Sequence, residues 1–159
     1  MPYADFYSSF PDVAGAETRS ITLTNRSFGL PPDHYGFLEM YCDEPGCDCR
    51  RVFFFVVSPR SNDALAVIAC GWESRDYYAK WFGKDDPDVI AELIGPTLNL
   101  GSPQSSLAPA LLELFRKILL PDTAYIDRIK RHYAMFREKI EQREPPTKSR
   151  KKHKRRKKA

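Results

Sequence analysis

The first half of the chain has the hydrophobic pattern of β-strands. Ile21 and Leu23 alternate with polar neighbours in "RSITLTN", which predicts a strand with one buried face. The run "RVFFFVV" is β-branched and aromatic throughout, as is typical of a strand covered on both faces. Turn residues in "SPRSND" separate this run from the returning run "ALAVIACGW". We therefore predict an antiparallel meander of about four strands, at residues 19–25, 35–42, 51–57 and 64–72.

The second half of the chain shows helix signals instead. Ser74 is placed to cap a helix that stops at Gly83, and the Asp and Pro residues at 86–88 suit the start of a helix that stops at Gly95. Ser106 is the predicted cap of a third helix. The apolar residues of the last helix recur every three or four positions and form one stripe, which we expect to face the core. They are Ile126, Ile129, Tyr133, Phe136 and Ile140. The predicted helices cover residues 75–83, 86–95, 107–120 and 122–144, and residues 96–101 add a short edge strand.

These elements predict the α+β class, with an antiparallel meander sheet followed by C-terminal helices packed on it. A chain of 159 residues is the usual size of one domain. Residues 1–18 mix aromatic residues with Pro, Ser and Gly without a clear period. We expect them to form an irregular segment whose aromatic side chains pack onto the domain. The single domain is predicted at 19–144, with a Cys loop at 42–49 and a disordered basic tail at 145–159.

Charge separates the tail from the rest of the chain. The formal net charge is +4, but residues 148–159 hold nine of the 25 Lys and Arg residues and none of the 21 acidic residues. Residues 1–147 therefore carry 16 basic against 21 acidic residues, a net charge of −5, while the tail carries +9. A basic arm on an acidic body is typical of a segment that binds a polyanion.

The tail is predicted to bind RNA or DNA. Closely spaced cations bind nucleic acid phosphates by releasing counterions, largely without regard to sequence. No aromatic residue lies among them, so the tail has no means of stacking on single-stranded bases. Binding to an anionic membrane surface, a nuclear address and a solubilising role are alternatives. The predicted nucleic-acid-binding residues are Lys148, Arg150, Lys151, Lys152, Lys154, Arg155, Arg156, Lys157 and Lys158.

The N-terminus predicts a soluble cytoplasmic protein. "MPYADFYSSFPDVAGAE" lacks the basic start and apolar run of a secretory signal. The most apolar stretch, residues 52–57, is too short to span a bilayer. In a reducing cytosol, clustered cysteines are metal ligands or redox groups more often than structural disulfides.

The loop "CDEPGCDC" brings cysteines together by turn chemistry. Pro45 and Gly46 are the residues that a type II turn favours at its two central positions. Such a turn folds the chain back between Cys42 and Cys47, and Cys49 lies on the same side of an extended chain as Cys47. We therefore predict that three thiols converge on one point.

A fourth ligand is predicted from strand register. A hairpin closed by "SPRSND" places position 70 opposite about position 51, so Cys70 reaches the same end of the sheet as Cys49. A change of one residue in this register would turn Cys70 to the opposite face. His34 is the other candidate, and a strand of about seven residues separates it from Cys42.

The chemistry of the cluster favours zinc. Zinc bound by three or four thiolates has a net negative charge, which Arg50 and Arg51 are placed to offset, whereas Asp43, Glu44 and Asp48 oppose that effect unless they face water. A closed four-sulfur site, Cys42, Cys47, Cys49 and Cys70, would be structural, and a three-sulfur site with an open position would suit catalysis. Two further interpretations are reduced cysteines that act as small core and loop residues, and a redox pair of Cys47 and Cys49.

Motifs of common enzyme classes are missing from the sequence. It has no P-loop, dinucleotide glycine fingerprint, H-E-x-x-H motif or nucleophile elbow. We expect His132 to be an exposed or half-buried structural residue of the last helix. The favoured function is a non-enzymatic zinc-stabilised domain whose tail binds nucleic acid or a ribonucleoprotein. The alternative is a thiol-dependent or zinc-dependent enzyme centred on Cys42, Cys47 and Cys49, with His34 assisting.

Residues 35–82 resemble an uncharacterised family of small bacterial proteins. The likeness rests on the loop "CDEPGCDCRRV", on "GWES" before the aromatic helix "RDYYAKWF", and on the later "IDRIKRHYAMFRE". Some members of that family carry a SEC-C zinc motif at the C-terminus, whereas this chain ends in "TKSRKKHKRRKKA", which has no cysteine. The resemblance implies that the domain and the Cys loop form one unit, and it implies no reaction.

Overall fold

Six strands form one sheet in the part of the chain that the structure describes. The structure is a computed structural model and describes residues 3–143. Neighbouring strands follow the order β1, β3, β4, β5, β6, and all pairings are antiparallel. β1 and β2 pair with the same edge of β3, β1 with its last residues and β2 with its first residues. The strands are β1 Tyr3–Asp5, β2 Ser20–Leu23, β3 Asp33–Cys42, β4 Arg51–Val57, β5 Ala66–Gly71 and β6 Thr97–Leu98.

Helices precede β2 and follow β5, which confirms the predicted α+β class. They are α1 Phe6–Ser9, α2 Pro11–Glu17, α3 Arg75–Phe82, α4 Pro87–Ile94, α5 Ala108–Leu114 and α6 Thr123–Arg143, with a π-helical turn at Phe115–Leu119. As predicted, Ser74 caps α3 by accepting the Tyr77 N–H, and α3 stops at Gly83, whose φ of 88° suits glycine. Asp86 likewise caps α4, which Gly95 ends.

The main core lies between the sheet and α6. Side chains of β3 alternate between the two faces of the sheet, and Phe37 and Tyr41 lie on the face of the main core. Phe54 of β4 belongs to the same buried layer. The predicted stripe of α6 packs against this layer, with Ile126 partly exposed and the other four residues buried. Phe53, Val67 and Ala69 form a smaller cluster on the other face of the sheet.

Three predictions of local structure are wrong. Residues 3–17 are not irregular, because they form β1, α1 and α2, and Asp5 caps α1 through the Ser8 N–H. Ser106 does not cap α5; the hydroxyl of Ser105 accepts the Leu107 N–H instead. His132 is completely buried, because its ring lies between two carboxylates beneath the N-terminal segment.

The predicted tail, with its nine basic residues from Lys148 to Lys158, lies outside the described residues. No helix between residues 3 and 143 combines the length and the apolar character that crossing a bilayer requires.

Candidate metal centre

Three cysteine sulfurs meet at the end of β3. Cys42 is the last residue of β3, and Cys47 and Cys49 belong to the loop that leads to β4. Their three Sγ atoms all lie within 4.8 Å of one another. Tetrahedral zinc with Zn–S bonds of about 2.3 Å places its sulfurs roughly 3.8 Å apart. The three thiols are therefore close enough to hold one metal ion.

The loop reverses at Pro45 and Gly46, as the sequence predicts. The Cys47 N–H donates to the Glu44 carbonyl at 3.1 Å, and the φ of Gly46 is 74°. These are the hydrogen bond and the positive φ of a type II turn with proline and glycine at its central positions. The turn returns the chain to Cys42, which explains how residues five apart in sequence share one point.

Helix α6 anchors the loop from one side. The guanidinium of Arg137 donates to the carbonyl oxygens of Cys42 and Glu44, the latter at 2.7 Å. Glu141 accepts the Gly46 N–H and binds Arg137 at 3.0 Å. One ion pair on α6 therefore fixes the backbone on both arms of the turn.

Tyrosine side chains anchor the rest of the loop. The hydroxyl of Tyr133 accepts the Arg50 N–H at 3.0 Å, and the hydroxyl of Tyr78 donates to the Arg50 carbonyl at 2.7 Å. Tyr77 of α3 donates to the Asp48 carbonyl. Arg50 has a φ of 49°, a region that non-glycine residues seldom adopt. The backbone that carries Cys49 is therefore held by α3 and by α6 together.

The sulfurs share protons unequally. Hydrogen bonds from Cys42 and Cys49 lower the pKa of Cys47 to about 3, and the Arg137 guanidinium contributes to that shift. The hydrogen bond between Cys42 and Cys47 raises the pKa of Cys42 to about 11. Hydrogen bonds to Cys42 and Cys47, together with burial, raise the pKa of Cys49. The hydrogen bonds therefore favour a negative charge on Cys47 over its two neighbours. A thiophilic cation would displace the thiol protons and bind all three sulfurs.

Cys70 does not join the three sulfurs, contrary to the prediction. β5 pairs Cys70 with Val52, one residue away from the predicted register, and paired residues share a face of the sheet. Cys42 lies two residues beyond Met40, which pairs with Phe53 on the other face. Cys70 therefore reaches the predicted end of the sheet but points to the side of α6.

His34 is also remote from the cluster. It lies near the start of β3, eight residues before Cys42, which corresponds to about 26 Å along a strand. Its Nδ1 contacts the hydroxyl of Thr22 at 2.8 Å. The structure therefore assigns it no place beside the sulfurs.

The two arginines after the loop act differently from the prediction. Arg50 forms ion pairs with Asp48 at 2.9 Å and with Glu73 at 3.4 Å. Arg51 is largely buried and donates to the Leu93 carbonyl at 3.0 Å. Arg137 is the cation with two contacts to the Cys loop backbone. No sequence signal marked it, because it is one of many charged residues of a long amphipathic helix.

No protein-family model matches this chain, and no curated protein or solved structure matches it.

Proposed function

We propose that Cys42, Cys47 and Cys49 bind a structural zinc ion in a non-enzymatic domain. The single observation that carries this proposal is the convergence of their three Sγ atoms within 4.8 Å. Cys42 and Cys49 are buried and Cys47 is half-buried, so the ion would lie under the loop with one side towards solvent. Thiolate ligands select zinc over magnesium, calcium and manganese. No fourth Cys, His, Asp or Glu of residues 3–143 joins the group. The fourth position is therefore open, an arrangement that by itself suits catalysis.

A structural role is favoured over catalysis because the histidines are remote from the three sulfurs. Both histidines of residues 3–143 are engaged elsewhere, His34 with Thr22 and His132 between Glu17 and Glu39. The loop carbonyls and N–H groups are held by side chains of α3 and α6. A zinc ion there would connect the end of β3 to the start of β4 and stabilise the surface on which both helices pack.

The proposed partner of the tail is RNA or DNA. The nine basic residues between 148 and 158 follow α6 in sequence. The last turn of α6 contacts the Cys loop through Glu141. In this proposal the metal centre stabilises the domain, and the tail supplies affinity for phosphates.

Chelation tests the structural zinc. A strong chelator should lower the melting temperature of the full-length protein by about 10 °C, because losing a ligand held at a thousandfold excess over its dissociation constant costs about 4 kcal/mol. Cys70→Ala should show the same fall. Cys47→Ser should melt lower and should not respond to the chelator. An unchanged melting temperature of the chelated wild type would refute the role of the metal.

Salt titration tests the tail. Binding of the full-length protein to a fluorescent RNA or DNA should weaken steeply with salt, with a slope of log K against log salt of roughly −6 to −8 for nine phosphate contacts. Removing residues 146–159 should abolish binding while the zinc content stays unchanged. Equal binding by the truncated protein would exclude the tail as the contact.

A further inference from the structure

A cavity of about 280 Å³ lies between the sheet and the N-terminal half of α6. Its floor is formed by Val52 and Phe54 of β4 and by Cys70 of β5. Trp72 and Ile126 belong to its walls. An apolar cavity of about 150 Å³ is enough to bind benzene in an engineered protein. This cavity is nearly twice that size, so it has room for a ring or a branched chain with a polar group attached.

The mouth of the cavity is polar. Thr123, Asp127 and Lys130 line it and are exposed, and their spacing of four and three residues aligns them on one face of α6. Among residues 3–143, neither Asp127 nor Lys130 has an ion-pair partner within 4.0 Å. The neighbouring Arg131 does have one, since it binds Glu17. A carboxylate and an ammonium group, both without partners, therefore border an apolar hollow.

The backbone beside the mouth is irregular. The Leu120 N–H donates to the Phe115 carbonyl at 2.9 Å, which is the five-residue hydrogen bond of a π-helical turn. Leu120 follows this turn directly, lies at the edge of the cavity and is 36% exposed. Single π-helical turns are rare and occur frequently at functional sites.

We propose that this cavity binds a small zwitterion of the α-amino acid class that has an apolar side chain. The side chain fills the hollow over Val52, Phe54 and Cys70. The ammonium group of the ligand pairs with Asp127, and its carboxylate pairs with Lys130. A ligand with only an ammonium group would leave Lys130 unpaired and would lie near its like charge. A ligand with only a carboxylate would do the same at Asp127. Tight binding therefore requires both charges. This site is distinct from the proposed metal centre, since none of the three converging cysteines lines the cavity.

Tryptophan fluorescence tests the proposal directly. The chain has two tryptophans, and Trp81→Phe leaves Trp72, a wall of the cavity, as the sole emitter. Full-length Trp81→Phe protein is titrated with L-phenylalanine, L-leucine, 2-phenylethylamine and 3-phenylpropanoate. At least one amino acid should change the Trp72 emission saturably. The amine and the acid that lack one charge should bind about tenfold more weakly than L-phenylalanine, since each loses one charge-assisted hydrogen bond.

Variants at the mouth identify the contacts. Asp127→Asn and Lys130→Gln should each lower amino acid affinity about tenfold, since each removes one ion pair. Glu138→Gln, an exposed change further along α6, should leave affinity unchanged. Cys70→Met extends a side chain into the cavity and should weaken binding while the zinc content is retained. No saturable response to either amino acid, or equal affinity in all the variants, would overturn the proposal. Neither result would bear on the metal centre.

Discussion

At Gly71, the absence of a side chain determines how α3 and α4 pack on the sheet. A Cβ atom there would meet the hydroxyl of Tyr78 and lie 2.6 Å from the Leu93 carbonyl oxygen. The Tyr78 hydroxyl also donates to the Arg50 carbonyl, so it cannot retreat without releasing the loop that carries Cys49. The packing of α3, α4 and the Cys loop at the end of β5 therefore requires glycine at position 71.

Gly71→Ala should destabilise the protein by about 1–3 kcal/mol, the usual cost of overpacking. Gly15→Ala is the matched control, because a Cβ atom at this helical position meets nothing within 4 Å. That change should be neutral or should stabilise by roughly 0.5–1 kcal/mol. Urea unfolding of both variants gives the comparison. Equal free energies of unfolding for Gly71→Ala and Gly15→Ala would show that the space around Gly71 can accommodate a Cβ atom.

At the scale of elements, a buried histidine connects the N-terminal segment to α6. His132 Nδ1 lies 2.6 Å from an oxygen of Glu39, and its Nε2 lies 2.8 Å from an oxygen of Glu17 at the end of α2. The ring of Phe6 stacks on the imidazole at a centroid distance of 4.4 Å. Tyr41 donates to the same Glu39 oxygen. This group of side chains explains why residues 3–17 are ordered against the domain.

This connection should make stability depend on pH. Burial opposes the charged imidazole, but the two glutamates raise the pKa of His132 above its ordinary 6.5. Hydrogen bonds from His132 and Arg131 lower the pKa of Glu17 below 4.5. The His132 contribution is complete below pH 6.5 and is lost as the pH rises through the raised value. The Glu17 contribution is complete above pH 4.5 and is lost on acidification. The connection is therefore strongest between pH 4.5 and 6.5.

His132→Gln should cost about 2 kcal/mol within that window, since hydrogen bonds to charged groups are worth roughly 1.5–3 kcal/mol. The difference in melting temperature between wild type and variant should shrink as the pH is raised from 6 to 9. A difference that stays constant over this range would show that the histidine is not charged in the folded protein.

The sequence predicted elements best where local chemistry decides them. β4 has the predicted bounds, and the caps at Ser74 and Asp86 and the turn at Pro45 and Gly46 are all present. The face of Cys70 was wrong because a shift of one residue in the β4–β5 register reverses a side chain. The N-terminal helices were missed because their order depends on His132, more than a hundred residues away in sequence.

At the scale of the whole molecule, the three sulfurs and the cavity are separate groups of residues within one domain. The three sulfurs lie at the end of β3, bounded by α3 and the end of α6, whereas the cavity lies against the first half of α6. The described body is connected to a tail whose net charge opposes its own. Cys70 lies at the same end of the sheet but is not one of the three converging cysteines.

Metal analysis of cysteine variants tests the central claim most directly. Full-length wild type, Cys47→Ser and Cys70→Ala are purified side by side, and zinc per chain is measured by mass spectrometry. The account predicts one zinc in wild type and in Cys70→Ala, and almost none in Cys47→Ser. Wild-type protein without bound metal, or loss of zinc from Cys70→Ala, would contradict it.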